Sequence, residues 1–179
     1  MRERATPTGV ERTFEAGRVI VSKTDLKGVI RYANRTFLDI ARYREDEVIG
    51  APHSIVRHPD MPRGVFRLLW EQIESGQEIF AYVLNLAKDG AHYWVLAHVT
   101  PSFSASGEIM GYHSNRRRPD GAAVRSIGEV YRTLLEEERR HRGAREQADA
   151  GRAMLGRLLD ERGVTYSQFV WSLIGEQAA

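Results

Sequence analysis

Strand-forming segments occupy both ends of residues 18–118, and helical segments lie between them. Two segments rich in β-branched residues come first, at 18–23 and 29–32. Further strands are predicted at 79–87, 92–100 and 108–117. The leading strands can share one core with the later ones only if all pair into one antiparallel sheet, with the helices on one face. This order predicts an α+β fold, a five-stranded antiparallel sheet flanked by short helices, with a small-ligand pocket between the layers.

Three helical patterns fill the interval between the two groups of strands. The first starts at Asn34, whose side chain can cap the first turn. A short second pattern runs from Tyr43 to Gly50. The third is amphipathic, contains Trp70 and ends at Gly76.

A stiff polar loop is predicted at residues 51–62. Its second half, Ile55–Pro62, contains Arg57, His58 and Asp60 together with two prolines. Each proline holds its own φ near about −65° and biases the residue before it away from helix. Polar groups presented from a rigid loop more often recognise a ligand than support a core.

The sequence divides into three parts. Residues 1–17 are polar, and we expect an N-terminal cap or a flexible lead-in. Residues 18–118 hold the predicted sheet and its short helices, and Pro119 ends this pattern. The composition then shifts to Glu, Arg, Ala and Leu, so residues 119–179 are expected to form a C-terminal helical extension.

Apolar residues in this extension recur at helical spacing. One stripe covers 124–135 and another covers 169–174. Residues 136–142 contain no apolar residue and are expected to be solvent-exposed or to connect two helices. The two stripes are candidate surfaces for homodimer contact or signal output.

Composition excludes several classes of protein. The chain has no cysteine, which excludes disulfides, Cys-ligated zinc, iron–sulfur clusters and cysteinyl-flavin chemistry. The net charge of +2 requires no nucleic-acid partner, and Arg116–Arg118 is expected to be a solvated strand end. No run of apolar residues approaches the length of a membrane-spanning helix, about 18 residues, and no signal peptide is recognised. We therefore expect a cytoplasmic location. No motif of a nucleophile elbow, a P-loop or a zinc protease occurs, so we expect no enzyme activity.

Several motifs along residues 18–118 point to one family. They are Tyr32-Ala-Asn34, Glu47-Val-Ile-Gly-Ala-Pro-His53, Val56-Arg-His-Pro-Asp-Met-Pro62, Asp89-Gly-Ala-His-Tyr-Trp-Val95 and Val99-Thr-Pro101. Through them the chain resembles the PAS domain of bacterial aerotaxis (energy-taxis) receptors. The resemblance implies a PAS fold that binds FAD noncovalently and serves as a redox or oxygen sensor. It also implies signalling to a partner such as a chemoreceptor.

The resemblance further implies which residues contact the flavin. Carried over position by position, they are Asn34, Arg57, His58, Asp60, Trp70 and Asn85. The two asparagines offer a donor and an acceptor to the pyrimidine edge of the ring. The arginine can balance negative charge, the tryptophan can pack on an aromatic ligand, and the aspartate can orient the arginine or the histidine.

Each of these residues also has an ordinary structural interpretation. Asn34 can simply cap its helix, and Arg57 and Asp60 can form an ion pair that braces the loop. The imidazole of His58 can be buried and hydrogen-bonded, and Trp70 can belong to the core. The second asparagine can lie on the surface of a strand.

Other ligand states stay open. Ile79, Leu84 and Leu86 stand where family members carry a tryptophan or cations, which favours an apolar slot and a ligand-free interaction or dimerisation module. A heme held by His58 or His92 is the minor alternative. A metal site at His58 would lack a third ligand, and none is expected.

Overall fold

The computed structural model of the protein describes residues 5–175 and contains one sheet. Its strands are β1 (Ile20–Thr24), β2 (Ile30–Ala33), β3 (Ile79–Leu86), β4 (His92–Phe103) and β5 (Ile109–Arg117). The order across the sheet is β2-β1-β5-β4-β3, and every neighbouring pair is antiparallel. The five-stranded antiparallel sheet predicted from the sequence is confirmed.

Short helices connect β2 to β3, and longer ones follow β5. They are α1 (Arg35–Ala41), α2 (Glu45–Val48), α3 (Arg63–Glu74), α4 (Gly121–Glu138), α5 (Ala144–Arg162) and α6 (Tyr166–Gly175). The loop predicted for 51–62 is only partly correct, because His53–Val56 forms a 3-10 turn. The turn begins after Pro52, whose extended backbone is compatible with a helical start. None of the helices within residues 5–175 is long and apolar enough to cross a membrane.

One face of the sheet, called here the inner face, carries α1 and α3. Phe37 of α1 is buried, as are Val65, Leu68 and Ile73 of α3, which recur at helical spacing. Helix α3 contacts β3 and β4, where Val95 is fully buried. These apolar side chains form the core between the two layers.

The opposite, outer face of the sheet is covered by the C-terminal extension. The Tyr131 hydroxyl of α4 donates a hydrogen bond of 2.6 Å to the Tyr82 carbonyl of β3, and its ring stacks on Trp94. In α6, Trp171 contacts the ring of Phe80, with centroids 4.9 Å apart. The extension therefore folds back on the sheet.

The two apolar stripes offered above as output surfaces are consequently buried within the chain. Ile127 and Leu134 of α4 and Val170 of α6 are all 0% exposed. Sequence periodicity identified these residues as apolar faces but could not identify what covers them. In this structure they cover their own sheet.

Helix α5 crosses α3 at unusually close range because both helices carry glycine at the crossing. A Cβ at Gly64 of α3 would overlap the backbone of Gly151 and Arg152 in α5. A Cβ at Gly151 would overlap the carboxylate of Glu138. Each of these glycines is therefore required by the space around it rather than by its backbone angles.

The N-terminal segment packs beside the β3–β4 hairpin. The Arg12 guanidinium donates to the Ile40 carbonyl at 2.9 Å and pairs with Asp89 of the hairpin turn. Phe14 is buried in the core, and the backbone N–H of His92 donates to the Val10 carbonyl. Residues 5–17 thus cover one end of the sheet.

We predict that Gly151→Ala and Gly156→Ala have opposite effects on stability. The added methyl at 151 collides with Glu138, so unfolding free energy should fall by about 2 kcal/mol. At 156 a Cβ meets only the flexible Arg152 side chain at 3.7 Å, so better helix propensity should raise it by about 0.5–1 kcal/mol. Urea unfolding followed by circular dichroism measures both, and equal effects would contradict the crossing geometry.

Candidate functional site

A cavity of about 240 Å³ lies between the inner face of the sheet and helix α3. Its apolar walls are Phe66, Leu69, Trp70, Ile73, Val83, Ala97 and Val99. Its polar lining includes Ser22, His53, Arg57, Asn85, Ser114 and Arg116. Because it is smaller than the roughly 300–1,000 Å³ typical of pockets for whole drug-sized ligands, it suits a ring system better than an entire dinucleotide.

Strand alternation determines which side chains reach this cavity. In β3, Val83 and Asn85 line it, so Leu84 and Leu86 lie on the opposite face of the sheet. Ile79 is buried but is not among the lining residues. The expectation that Ile79, Leu84 and Leu86 make the slot apolar is therefore wrong, because none of the three lines the cavity.

Three residues implied by the resemblance do meet at the cavity, namely Arg57, Trp70 and Asn85. Arg57 and Asn85 form an isolated antiparallel bridge, which ties the loop to β3. Asn85 is only 4% exposed, and the Arg57 guanidinium lies 4.3 Å from the centroid of the Phe66 ring. The Trp70 ring packs edge-on against Tyr112 at 5.5 Å. Two distant chain segments thus bring a cation, an amide and an aromatic ring to one place.

Asn34 lies elsewhere and is occupied by the backbone. Its side-chain oxygen accepts from the N–H groups of Phe37 and Val21, both at 3.0 Å. Its amide nitrogen donates to the Val19 carbonyl at 2.8 Å. Asn34 therefore caps α1 and fastens it to the start of β1, and it is not among the residues that line the cavity. Its contact with a ligand stays a prediction.

His58 and Asp60 line a second cleft, between the start of α3 and the end of α4. The His58 ring is buried, and its Nδ1 accepts from the backbone N–H of Asp60 at 3.1 Å. Burial lowers the pKa of His58, against the opposing effect of the Asp60 carboxylate. The ring packs edge-on against His92 at 6.0 Å, and neither histidine lines the main cavity. Ligand contacts of His58 and Asp60 also stay predictions.

The polar end of the cavity is formed by residues that sequence reasoning missed. The Arg116 guanidinium donates to the Ser22 hydroxyl at 2.9 Å and to Nε2 of His53 at 2.6 Å. Arg116 is 4% exposed, so its expected role as a solvated strand end is wrong, whereas Arg117 and Arg118 are exposed. Alternation along β5 could have revealed it, since Arg116 shares its face with buried residues two and four positions earlier.

The protonation states of this cluster follow from its burial. Burial lowers the pKa of Arg116 to about 10, so the guanidinium stays charged at neutral pH. Burial and the neighbouring Arg116 cation hold the pKa of His53 well below its ordinary 6.5. The imidazole is therefore neutral and presents Nε2 as an acceptor, which places its hydrogen on Nδ1. The cavity thus carries a buried positive charge, and none of the described residues that line it is acidic.

One buried polar atom at this end has no partner. The Ser114 hydroxyl is buried, and no hydrogen bond to it is found within residues 5–175. Buried hydroxyls are rarely left unsatisfied, so this hydroxyl is available to a water or a ligand group in the cavity. With the adjacent guanidinium and the Asn85 amide, it could bind a planar, polar-edged ring that tolerates or carries negative charge.

Comparison with known proteins was made on both sequence and structure. Residues 9–114 match the PAS fold family. The chain is 37% identical to the aerotaxis receptor of Escherichia coli (strain K12) over 115 residues, which is 64% of this chain and 22% of that protein. It is 27% identical to blue-light-activated histidine kinase 1 of Erythrobacter litoralis over 113 residues, 63% of this chain and 31% of the relative. The chain thus spans less than a third of either relative.

Solved structures share the fold at low sequence identity. One, titled for a flavin analogue and the mechanism of a light-oxygen-voltage domain, has a TM-score of 0.55 at 18% identity, over 64% of this chain and 86% of that one. The light state of the Aureochrome1 LOV photoreceptor has a TM-score of 0.51 at 23% identity, over 68% and 90%. Their likeness concerns the fold alone. Since the family match covers more than half of the sequence, the chain belongs to the PAS fold family.

Proposed function

We propose that this protein is a cytoplasmic redox or oxygen sensor that binds FAD in the inner cavity and signals to a partner. The observation that carries the proposal is the polar end of the cavity. There the buried Arg116 cation and the Ser114 hydroxyl, which has no hydrogen-bond partner within residues 5–175, adjoin apolar walls. The similarity to the aerotaxis receptor favours sensing of redox state over other roles of the family.

The lining residues fit an isoalloxazine ring. A bound flavin supplies a ring that accepts and releases electrons and gains negative charge on reduction. Arg116 can balance that charge because its guanidinium is buried and, within residues 5–175, its hydrogen bonds go to the neutral side chains of Ser22 and His53. Asn85 offers both a donor and an acceptor to the ring edge, and Trp70 supplies an aromatic wall.

The rest of the dinucleotide would have to extend out of the cavity, whose volume of about 240 Å³ suits only the ring. Lys27 is exposed and belongs to the lining, so it can meet a phosphate group there. Arg57 is a second cation on the lining.

A change at the cavity can reach the extension through β3. Val83 and Asn85 line the cavity. The carbonyl of Tyr82, the residue before Val83, accepts a hydrogen bond from the Tyr131 hydroxyl of α4. Altered hydrogen bonding at Asn85 would therefore bias the packing of α4 on the outer face. Such a bias signals only if the oxidised and reduced forms differ in their affinity for the partner, which we propose is a chemoreceptor or a second copy of this chain.

We predict that the purified protein, incubated with FAD and freed of excess ligand, retains absorption bands near roughly 370 and 450 nm. A band near about 410 nm instead would favour heme, and a featureless trace would favour a ligand-free interaction module. Either of the latter spectra would refute the proposed cofactor.

We expect Arg57→Ala and Asn85→Ala each to reduce the flavin retained per protein, because both side chains line the cavity. Asn115→Ala is the matched control, since Asn115 alternates to the outer face of β5. Absorbance after desalting measures occupancy. Full yellow colour in both cavity variants would show that the site is wrongly assigned even if the cofactor is right.

We expect Arg116→Gln to weaken FAD binding about tenfold and to shift the flavin potential to more negative values, because a buried positive charge stabilises the reduced ring. Arg117→Gln is the control, since Arg117 is exposed and carries the same charge. Fluorescence titration and spectroelectrochemistry provide the two measurements. Equal flavin potentials in the Arg116 and Arg117 variants would show that Arg116 does not stabilise the reduced ring.

A further inference from the structure

Glu138, the last residue of α4, binds the first turn of α3. Its carboxylate accepts from the backbone N–H of Arg63 at 3.0 Å and of Gly64 at 2.8 Å. These N–H groups have no intrahelical partner, and Pro62 at the N-cap offers no side-chain acceptor. A carboxylate from a helix 75 residues away in sequence therefore takes the place of a local cap.

The carboxylate is buried without a direct ion pair. Glu138 is 4% exposed, and no ion pair to it is found among residues 5–175, although Arg57, Arg63 and Arg139 line the same cleft. The nearby Arg63 guanidinium donates instead to Gln147 of α5 at 2.9 Å. A buried carboxylate is costly unless it is hydrogen-bonded, so its position depends on the two N–H donors.

Helix α5 packs over this contact. Gly151 lies directly against the Glu138 carboxylate, and Gly64 lies against the Gly151 backbone. No larger residue fits at either position while the contact is closed. The carboxylate thus fixes α3, α4 and α5 together at one point.

The loop that leads into this first turn of α3 contributes to the cavity wall. Arg57 lines the cavity, and its guanidinium donates to the Met61 carbonyl at 3.4 Å. Met61 is buried two residues before Arg63, and its sulfur accepts from the backbone N–H of Leu84 in β3. Residues 57–64 therefore connect the cavity lining to the N–H groups that hold Glu138.

We propose that Glu138 is a latch that holds α5 and the end of α4 closed against α3, and that the cavity controls it through residues 57–64. Opening the latch would release both helices from α3. The control by ligand rests on the proposed function, whereas the latch itself does not. By linkage, the factor by which a bound ligand favours the closed latch equals the factor by which the closed latch favours ligand binding.

Hydrogen–deuterium exchange on the ligand-free full chain tests the latch. Glu138→Ala removes both acceptors, so amides of α5 should exchange roughly tenfold faster, while β4 and β5 keep their protection. Glu136→Ala is the matched control, because Glu136 lies on the same helix and is exposed. Exchange in α5 of the Glu138 variant equal to that of the control would overturn the proposal.

If Glu138→Ala does not fold, Glu138→Gln carries the same test. Its amide keeps one acceptor and turns an N–H₂ group toward the second donor, so α5 should again exchange faster than in the Glu136 control. Wild-type exchange in this variant would also overturn the latch.

Titration with FAD tests the control by the cavity. We expect FAD to slow exchange in α5 of the wild type, and Glu138→Ala to weaken FAD binding about fivefold or more. Tight FAD binding with unchanged α5 exchange would overturn the coupling. If no variant binds FAD, the proposed function fails, and exchange in the ligand-free chain still decides whether the latch exists.

Discussion

In β3, Val83 and Asn85 line the cavity, while Leu84 between them and Tyr82 before them belong to the opposite face of the sheet. This alternation has a period of two residues and continues through β4 and β5. A single sheet therefore separates the cavity on one side from α4 and α6 on the other. Neighbouring residues of one strand thus face the two sides.

The described residues include two buried charged side chains of opposite sign. Arg116 lies at the polar end of the cavity, and Glu138 lies under the α3–α5 crossing. Each is bonded only to neutral groups within the described part of the chain, a hydroxyl and an imidazole in one case and two backbone N–H groups in the other. Buried ions of this kind stabilise a fold poorly compared with apolar side chains. Their positions are the basis of the proposed roles of Arg116 in ligand binding and of Glu138 as a latch.

The periodicity of the sequence predicted most of the elements, because a half-buried strand and an amphipathic helix each repeat their apolar side chains at a fixed interval. Periodicity predicts the residues of the candidate site less well. Arg57, Trp70 and Asn85 were identified through the family resemblance, and all three line the cavity. His53 and Arg116 were missed, since a polar residue inside a turn or at a strand end looks solvated when its neighbours across the sheet are unknown.

The sequence by itself determined the number and order of the strands, the short helices between them and the amphipathic stripes of the extension, since each depends on residues close together in the chain. Only the tertiary structure decided that the stripes cover the outer face, that Arg116 is buried beside His53, and that Glu138 caps α3. The residues 136–142, which the sequence presents as a solvated connector, illustrate the reason. A carboxylate can be buried wherever distant backbone donors and two glycines leave room for it, and such an arrangement has no local sequence pattern.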